Sequence, residues 1–471
     1  MDNINWNSKA EVIELVKDDG WNLEYASPEL QNDPEVVMEA VKDVGFTLKL
    51  ASPRLKDDKE IVLEAVKQDG RLLKYASERL KNDKEIVLEA LKTNEEVLEY
   101  ISPRLKNDIE LAEIALEKNK WNLQYFSEEV KDNKEFILKT VKKDGLSLYY
   151  ASPKLQNDSE VVLEAVKQDS RSLEYASDEI KSNKEIVKIA IEDNCTLIRF
   201  ASETLRDNED LALTAVQLDG YAFQFLSERL KNNENLALTA IESRSEIFEE
   251  VSNELKSNKE FILSAITKAP YVFKYIENNF KCDEEIVKKA VRNCGIMLKY
   301  TSEEFKNNPE IVKMAIANNE EAFEYASSEL RNNREFIKEC IKVNTEIFQY
   351  LPNKFLKDKE IALVAVKLDG ELLEFVSNTL RKDKEVVMRA IKRDGKSIKY
   401  ASDEFKSNKE IAMVAVQDWG ASLEYLSDEL RNDPEIVKEA ISDRESAYMY
   451  AGKEIKEKYL TVKEFKESFK N

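Results

Sequence analysis

The sequence repeats every 25 residues without an insertion or deletion, and this period restricts the chain to a stack of similar units. A helix-capping type of side chain (Ser, Asp or Asn) marks each period. The marked residues are Ser8, Asp33, Asp58, Asp83, Asp108, Asn133, Asp158, Asn183, Asn208, Asn233, Asn258, Asp283, Asn308, Asn333, Asp358, Asp383, Asn408 and Asp433. A chain of 471 residues would otherwise suggest about three domains. A tandem array escapes that expectation because each unit packs only on its neighbours.

Each unit begins with an amphipathic helix of about ten residues, which we call helix A. Repeat positions are named after residues 58–82, so "the Asp58 position" means every residue that is a multiple of 25 away from Asp58. The side chain at the Asp58 position is expected to accept hydrogen bonds from the free N–H groups at the start of helix A. Apolar residues such as Ile61 and Val66 then form one face. Ala occupies the Ala65 position in fifteen of eighteen units, which predicts close approach of a neighbouring helix.

A shorter helix of about seven residues, helix B, follows helix A. Gly occupies the Gly70 position in nine units and is usually preceded by Asp or Asn. One interpretation is a glycine that ends helix A at positive φ. Because Pro270 holds the same position and requires φ near −65°, we favour Asp69 as the N-cap and Gly70 as the first residue of helix B. Ser77 then caps a single helical turn, turn C.

The predicted fold is an all-α solenoid of eighteen gapless 25-residue repeats, stacked as a superhelix with terminal caps. Each repeat has a longer helix, a shorter helix and a single helical turn. The chain is expected to form one domain over residues 1–471. Residues 1–25 form the N-terminal capping repeat, 26–450 the regular repeats and 451–471 a C-terminal capping helix. Glu11 supports the first cap, since it stands where the other units carry an apolar residue.

The repeat resembles a known family. Its consensus is carried by residues 55–70, by residues 80–90 and by the Tyr-Ala-Ser run at 400–402. These match the helical repeat family named domain of unknown function 4116, over about residues 8–455. The resemblance implies a helical repeat fold of bacterial and protist proteins, some of them effectors that act on host cells. It implies no catalytic residues. Residues 242–283 depart from the pattern and are the first place to expect a bend or docking site. The departures are Glu250, Pro270 and Glu277.

Residues typical of catalysis and metal binding are scarce. The chain has no His, and nine of its ten glycines share one repeat position, which excludes a phosphate-cradling loop. The four cysteines fall at four different positions without metal-site spacing. They are Cys195, Cys282, Cys294 and Cys340. We therefore predict ordinary thiols, no metal, no cofactor and no enzymatic activity.

A line of basic residues runs through the repeats. Lys or Arg occupies the Lys81 position in fifteen of eighteen units, which would suit a polyanion. The net charge is −21, however, and an acid follows four residues later, as at Glu85. We expect i,i+4 pairing along this line and do not expect nucleic-acid binding, which stays a second alternative.

The chain begins without an apolar targeting run and has no apolar stretch of about 20 residues. We therefore expect no membrane contact and a cytoplasmic location. Signal-independent secretion as an effector stays open.

Aromatic residues recur at the Tyr75 position, with Tyr in thirteen units and Phe in three. Such a row could stack nucleic-acid bases. The acidic average and the free exchange of Tyr for Phe favour a core row whose hydroxyls reach polar partners.

Function is expected at positions that vary, above all the Arg71 position of helix B. Its aromatic members are the candidate binding residues, as anchors for a partner. They are Trp21, Phe46, Trp121, Tyr221 and Tyr271. Edge packing between layers is the competing interpretation. The predicted function is a non-catalytic scaffold, most simply a monomer, that binds a protein or peptide. The alternative is a structural spacer or a self-assembling rod.

Overall fold

A computed structural model describes residues 4–469. In this part of the chain every regular element is helical, and helix A, helix B and turn C follow one another in the same order throughout. The fold is an all-α solenoid, as predicted. Contacts divide it into two compact units, Met1–Leu230 and Lys231–Asn471. The count of eighteen repeats and the single-domain organisation stay predictions.

In the first unit, helix A is Lys9–Asp18, Pro34–Asp43, Lys59–Gln68, Lys84–Thr93, Ile109–Lys118, Lys134–Lys143, Ser159–Gln168, Lys184–Asp193 and Glu209–Leu218. Helix B is Gly20–Tyr25, Gly45–Leu50, Gly70–Tyr75, Glu95–Glu99, Lys120–Tyr125, Gly145–Tyr150, Ser170–Tyr175, Cys195–Phe200 and Gly220–Phe225. Turn C is Leu30–Asn32, Leu55–Asp57, Glu78–Lys81, Pro103–Lys106, Glu128–Lys131, Pro153–Gln156, Ile180–Ser182, Glu203–Arg206 and Glu228–Lys231, the last of which ends at the first residue of the second unit.

In the second unit, helix A is Glu234–Ser243, Lys259–Lys268, Glu284–Asn293, Pro309–Asn318, Arg334–Val343, Lys359–Leu368, Lys384–Ile391, Lys409–Asp418 and Pro434–Asp443. Helix B is Ser245–Glu250, Pro270–Lys274, Gly295–Tyr300, Glu320–Tyr325, Thr345–Tyr350, Gly370–Glu374, Gly395–Tyr400, Gly420–Tyr425 and Glu445–Tyr450. Turn C is Asn253–Lys256, Phe280–Cys282, Glu303–Lys306, Ser328–Arg331, Asn353–Leu356, Leu380–Lys382, Asp403–Lys406 and Asp428–Arg431. Lys453–Lys458 and Val462–Glu467 follow.

Helix A forms as the capping pattern predicts. The backbone N–H groups of Glu60 and Ile61 donate to Asp58 Oδ1 at 3.0 and 3.2 Å, which satisfies donors that the helix itself leaves free. The helix runs ten residues, and its Ile61, Ala65 and Val66 side chains are at most 1% exposed. Because so short a helix is marginal alone in water, this buried face supplies most of its stability.

Helix B is a 3₁₀-helix of five or six residues rather than an α-helix. Asp69 caps it by accepting from Arg71 N–H at 2.9 Å, and Gly70 is its first residue. Among residues 4–469 no glycine has positive φ. The favoured interpretation is therefore confirmed, and glycine does not end helix A. The tighter 3₁₀ winding is typical of such short pieces.

The glycine of helix B has a steric role that the sequence did not indicate. A Cβ atom added at Gly370 would lie 2.6 Å from the Ala390 carbonyl oxygen and 2.6 Å from Ser397 Oγ, both in the next repeat. Real Cβ contacts do not approach that closely. Glycine and the small alanine of the next helix A therefore let the two layers meet backbone to backbone, as predicted for the Ala65 position.

A hydrogen bond from the Ser77 position joins most turns C to the preceding one; we call it the serine link. Ser77 N–H donates to the Lys56 carbonyl oxygen at 2.9 Å, and Leu80 N–H donates to Ser77 Oγ at 3.2 Å. The serine caps its own turn, as predicted, and its hydroxyl also donates backwards. Ser127 Oγ, for example, donates to Asn107 Oδ1 at 2.7 Å. One residue thus fixes a turn and joins two repeats.

The first residue of helix A makes a second link, by charge. Lys59 Nζ lies 2.9 Å from Asp83 Oδ2 and 2.6 Å from Glu85 Oε2, which are the N-cap and first turn of the next helix A. In the second unit Lys259 bridges Asp283 and Glu285 at 2.8 Å each. The N-terminus of a helix stabilises the negative charge of carboxylates in its first turn, and the lysine stabilises that charge further.

The serine link is missing at three positions of the second unit, within the part of the chain that the structure describes. They are Glu277, Ser302 and Pro352. Pro352 has no N–H group to donate. Turn C at Phe280–Cys282 also differs, because Phe280 is half-buried whereas the apolar residue at this position is buried elsewhere. Of these features, the missing link at Glu277 and the altered turn C at Phe280–Cys282 lie within the sequence departure at 242–283.

The ends differ in part from the predicted caps. Glu11 is exposed, as expected. The C-terminal segment forms two short helices instead of one, because Phe465 folds back onto Tyr448 and Tyr459 with ring centroids 5.8 and 5.2 Å apart. Phe465 is fully buried, but Leu460 is 80% exposed. The outermost parts of both predicted caps, 1–3 and 470–471, lie outside the described residues.

Candidate functional site

Helix B presents one face to solvent, and this face carries the candidate site. In the repeat at 70–75, Leu72 and Leu73 are buried, Arg71 is exposed, and Lys74 and Tyr75 are half-buried. We call the outward side chains at the Arg71, Lys74 and Tyr75 positions the B face. Its composition varies from repeat to repeat, because burial places no demand on the Arg71 and Lys74 positions.

All five residues predicted to bind stand on the B face with more than a third of their surface exposed. The exposed fractions are 37% for Trp21, 37% for Phe46, 45% for Trp121, 44% for Tyr221 and 51% for Tyr271. Large rings at this exposure are available to a partner, although their inner edges pack on neighbouring side chains. The outer surface of each ring is exposed, as predicted for a binding residue. The inner edge packs against neighbours, as the competing interpretation of edge packing expects. The binding role itself stays a proposal.

Two of the five residues, Trp21 and Phe46, contact each other between successive repeats at the N-terminal end of the first unit. The Trp21 and Phe46 ring centroids are 6.3 Å apart, and Phe46 meets Tyr75 edge-on at 5.6 Å. With Lys49 and Lys74 these three rings form what we call the Trp21 cluster. Offset and edge-on contacts of this kind are the favoured arrangements of aromatic pairs.

The two lysines of the Trp21 cluster lie over its rings. Lys49 Nζ is 4.7 Å from the Trp21 centroid and 5.8 Å from that of Phe46. Lys74 Nζ is 5.4 Å from the Phe46 centroid and 4.9 Å from that of Tyr75. These distances fall within the range of cation–π attraction. Within residues 4–469, neither ammonium group is ion-paired to a carboxylate. The cluster therefore presents cations as well as apolar surface.

A second group of rings, the Trp121 cluster, lies farther along the first unit. Trp121 meets Tyr150 edge-on at 6.1 Å, and Tyr149 contacts Tyr150 at 4.7 Å and Tyr175 at 5.1 Å. Tyr149 is 53% exposed and was not among the predicted residues. It occupies the Lys74 position, whose variability was the signal that could have found it.

The remaining two candidates do not join these clusters. Tyr221 contacts Phe225 of its own helix B at 5.8 Å. Tyr271 belongs to the second unit and lies beside Cys294, whose proximity, followed by partial burial, raises the pKa of the Tyr271 hydroxyl. The five predicted residues, all within the described part of the chain, therefore do not form a single cluster; among them only the Trp21 and Phe46 rings contact each other.

The Tyr75 row is not the core row that we favoured. Tyr75, Tyr150 and Tyr325 are half-buried, and Tyr25 is 58% exposed. The physical reason is the short 3₁₀ turn, which directs the Leu73 position into the core and leaves the next two side chains at the surface. The row therefore contributes ring edges to the B face.

With the site described, the comparisons with known proteins identify the repeat. The family model for domain of unknown function DUF4116 matches the chain repeatedly, over most of its length. The matched residues are 12–56, 58–106, 83–131, 108–156, 133–181, 158–206, 183–231, 208–256, 258–306, 283–331, 308–357, 358–406 and 408–456. The chain belongs to the DUF4116 family. The suspected resemblance is confirmed. No curated protein matches the chain significantly.

The basic line of the DUF4116 repeats is largely occupied by contacts within the fold. Lys106 Nζ donates to the Glu99 carbonyl oxygen at 3.0 Å, and Lys281 Nζ donates to that of Lys274 at 2.9 Å. Both side chains are half-buried and reach free carbonyl groups near the C-terminal end of helix B, where cations are favoured. Burial lowers the pKa of the Lys56 and Lys281 amines.

The expected i,i+4 pairing along this line is wrong for the Lys81 example. Lys81 Nζ lies 2.8 Å from Glu78, and Glu85 pairs at 2.6 Å with Lys59 of the preceding repeat. The stacking of repeats places Lys59, the first residue of the preceding helix A, closer to Glu85 than Lys81 is.

Other features of these DUF4116 repeats carry little chemistry. The four cysteines, all within the described residues, form no disulfide; Cys340 is buried, which raises its pKa to about 12, and Cys282 is exposed. Among residues 4–469, no cluster of three or more acidic or cysteine side chains is placed to hold a metal ion. No helix in the same range is long and apolar enough to cross a bilayer. A shallow groove of about 860 Å³ lies between the A helices at 259–268 and 284–293, lined by mixed charges.

Proposed function

We propose that this chain is a non-catalytic repeat scaffold that binds a protein or peptide through the B face. Repeat arrays offer long surfaces on which each unit contributes a few side chains. The B face has this character, because its Arg71 and Lys74 positions vary while the neighbouring Leu73 position stays apolar and buried.

The Trp21 cluster is the observation that carries the proposal. Three rings from three successive repeats contact one another at 5.6–6.3 Å, and Trp21 and Phe46 keep 37% of their surface exposed. Trp and Tyr dominate the energetics of protein interfaces because they bury a large area with few rotatable bonds. An ordered group of such rings at a surface is typical of a partner site.

Neither alternative has a comparable feature. Nucleic-acid binding along the Lys81 line would need ammonium groups that can reach phosphates, and the amines of Lys106 and Lys281 donate to backbone carbonyls instead. A passive spacer would need no exposed aromatic cluster. Both alternatives are outcomes of the test that follows.

The test compares affinity capture from native lysate by three forms of the full chain. The first is the wild type, the second Trp21→Ala/Phe46→Ala, and the third a control, Leu213→Ala/Leu218→Ala. The control residues are 41% and 55% exposed on helix A of the same unit, so the control removes similar apolar surface elsewhere. We expect a partner captured by the wild type and the control but depleted at least tenfold in the aromatic variant. Equal capture by all three forms, or capture of nucleic acid only, contradicts the proposal.

A further inference from the structure

We propose that the Trp21 cluster selects an extended acidic peptide segment that also carries an aromatic or large apolar side chain. This inference rests on the proposed function and names the chemistry of its partner. The ligand's carboxylates would face Lys49 and Lys74, and its apolar side chain would cover the exposed parts of the Trp21 and Phe46 rings.

The charge of the cluster is opposite to that of the chain as a whole. The protein carries a net charge of −21, and most lysines that begin helix A lie within 3 Å of a carboxylate, as Lys59 does. Lys49 and Lys74 instead lie over ring faces, which attract a cation without neutralising it. A ligand carboxylate can therefore pair with either ammonium group without displacing an existing partner.

The negative average of the chain does not prevent this local preference. At physiological ionic strength the screening length is about 8 Å, so a bound carboxylate responds mainly to nearby charges. The Asp69 carboxylate, which interacts with Lys74, is already paired with Arg71 at 2.7 Å. Attraction to the ring faces orients the two amines before any ligand arrives. Orientation in advance lowers the entropy lost on binding.

The spacing of the two lysines favours an extended segment. Lys49 Nζ lies 5.8 Å and Lys74 Nζ 5.4 Å from the Phe46 centroid, so the two nitrogens are at most about 11 Å apart. An extended chain covers about 3.3–3.6 Å per residue, so acids three residues apart would reach both amines. The two residues between them would lie above Phe46, where an apolar side chain adds contact area.

The first experiment selects from a library of random twelve-residue peptides on the intact protein, after depletion on Trp21→Ala/Phe46→Ala. Enrichment of sequences that combine Asp or Glu with an aromatic or large apolar residue supports the inference. Enrichment of basic or uncharged sequences overturns the acidic preference and leaves the proposed function standing. Failure to enrich any sequence that depends on the two rings contradicts both.

The second experiment measures the affinity of a synthetic decapeptide with four Glu and one Trp by fluorescence anisotropy, beside its counterpart with four Lys. We expect Lys49→Glu/Lys74→Glu to weaken binding of the Glu peptide about tenfold, from the loss of two surface ion pairs and the added repulsion. Lys67→Glu/Lys92→Glu changes the net charge equally on helix A and is expected to leave binding within about twofold. Equal affinity for the two peptides, or equal weakening by the two variants, overturns the inference. Circular dichroism establishes that each variant is folded.

Discussion

Substitution of Gly370 by alanine tests whether the stack depends on backbone contact between layers. The added methyl group would lie 2.6 Å from the Ala390 carbonyl oxygen, and a normal contact needs at least 3.4 Å. One layer must therefore move by roughly 0.8 Å, and overpacking of this kind costs about 1–3 kcal/mol. Gly370 does not have positive φ, so alanine adopts the same backbone conformation without strain. Alanine also restricts the unfolded chain, which offsets the loss of stability by about 0.4–1 kcal/mol. The expected net loss is about 1–2 kcal/mol.

Gly45 is the matched control within the same chain. A Cβ atom there would meet Gln68 Oε1 at 2.8 Å and Leu72 Cδ1 at 2.9 Å, which are side-chain rather than backbone atoms. Gln68 would then have to bend its hydrogen bonds to Gly45 N–H and to the Val41 carbonyl oxygen. We expect Gly45→Ala to lower stability less than Gly370→Ala does, because side-chain ends give way at a smaller cost than a backbone carbonyl group.

Hydrogen exchange by mass spectrometry is the suitable assay, because a repeat array can open locally without unfolding as a whole. The loss at Gly370→Ala is expected to speed exchange in the peptide covering helix A at 384–391 by about 5–30-fold, with little change in distant repeats. Equal exchange in wild type and Gly370→Ala would refute the steric explanation. So would an equal effect of Gly45→Ala on its own neighbouring repeat.

Three further predictions concern the links between repeats. Ser127→Ala removes a cap and a hydrogen bond to the preceding repeat, so urea unfolding should show a loss of about 0.5–2 kcal/mol; a neutral effect would contradict the assigned role. The Lys359 hydrogen bond holds the pKa of Asp383 below its usual range, so its contribution is present above the unfolded value of 3.8 and is lost as pH falls through the lowered pKa. The pKa of Lys359 is raised, so the same contribution is lost again as pH rises above 10.5. The stability difference between wild type and Lys359→Met should accordingly be small at neutral pH and should vanish as pH falls through the lowered pKa of Asp383; a difference that persists in acid would be inconsistent with this pair. Finally, the Glu277 amide should exchange at least about tenfold faster than that of Ser127, since it lacks the serine link; equal protection, resolved by fragmentation, would argue against the break.

Local features of the fold could be predicted from the sequence because each depends on a few adjacent residues. Asp58, Asp69 and Ser77 cap the elements that follow them, and the apolar spacing after Asp58 specifies one buried face. The exposure of Trp21 and Phe46 followed from the same reasoning, since a position that tolerates Trp, Glu and Arg is not constrained by a core.

Contacts between repeats could not be predicted in the same way. The clash that requires Gly370 involves a carbonyl group 20 residues later, and no property of residue 370 alone reveals it. The Lys106 amine reaches the Glu99 carbonyl only because helix B is a 3₁₀-helix, and the sequence does not specify that winding. The half-burial of Tyr75 has the same origin. The contacts among Trp21, Phe46 and Tyr75 likewise depend on how successive repeats stack.

The links between repeats have a consequence for how the gene for such a chain can change. Ser77 reaches back 21 residues to Lys56, and Lys59 reaches forward 24 residues to Asp83. Each bond therefore closes between immediate neighbours, and its partners recur with the 25-residue period. Unequal recombination that adds or deletes one whole unit keeps these donors and acceptors in register, except at the positions that lack the serine link. Copy number is then a quantity that selection can adjust in single steps, and a duplicated unit is free to acquire a new residue on its B face while its neighbours keep theirs.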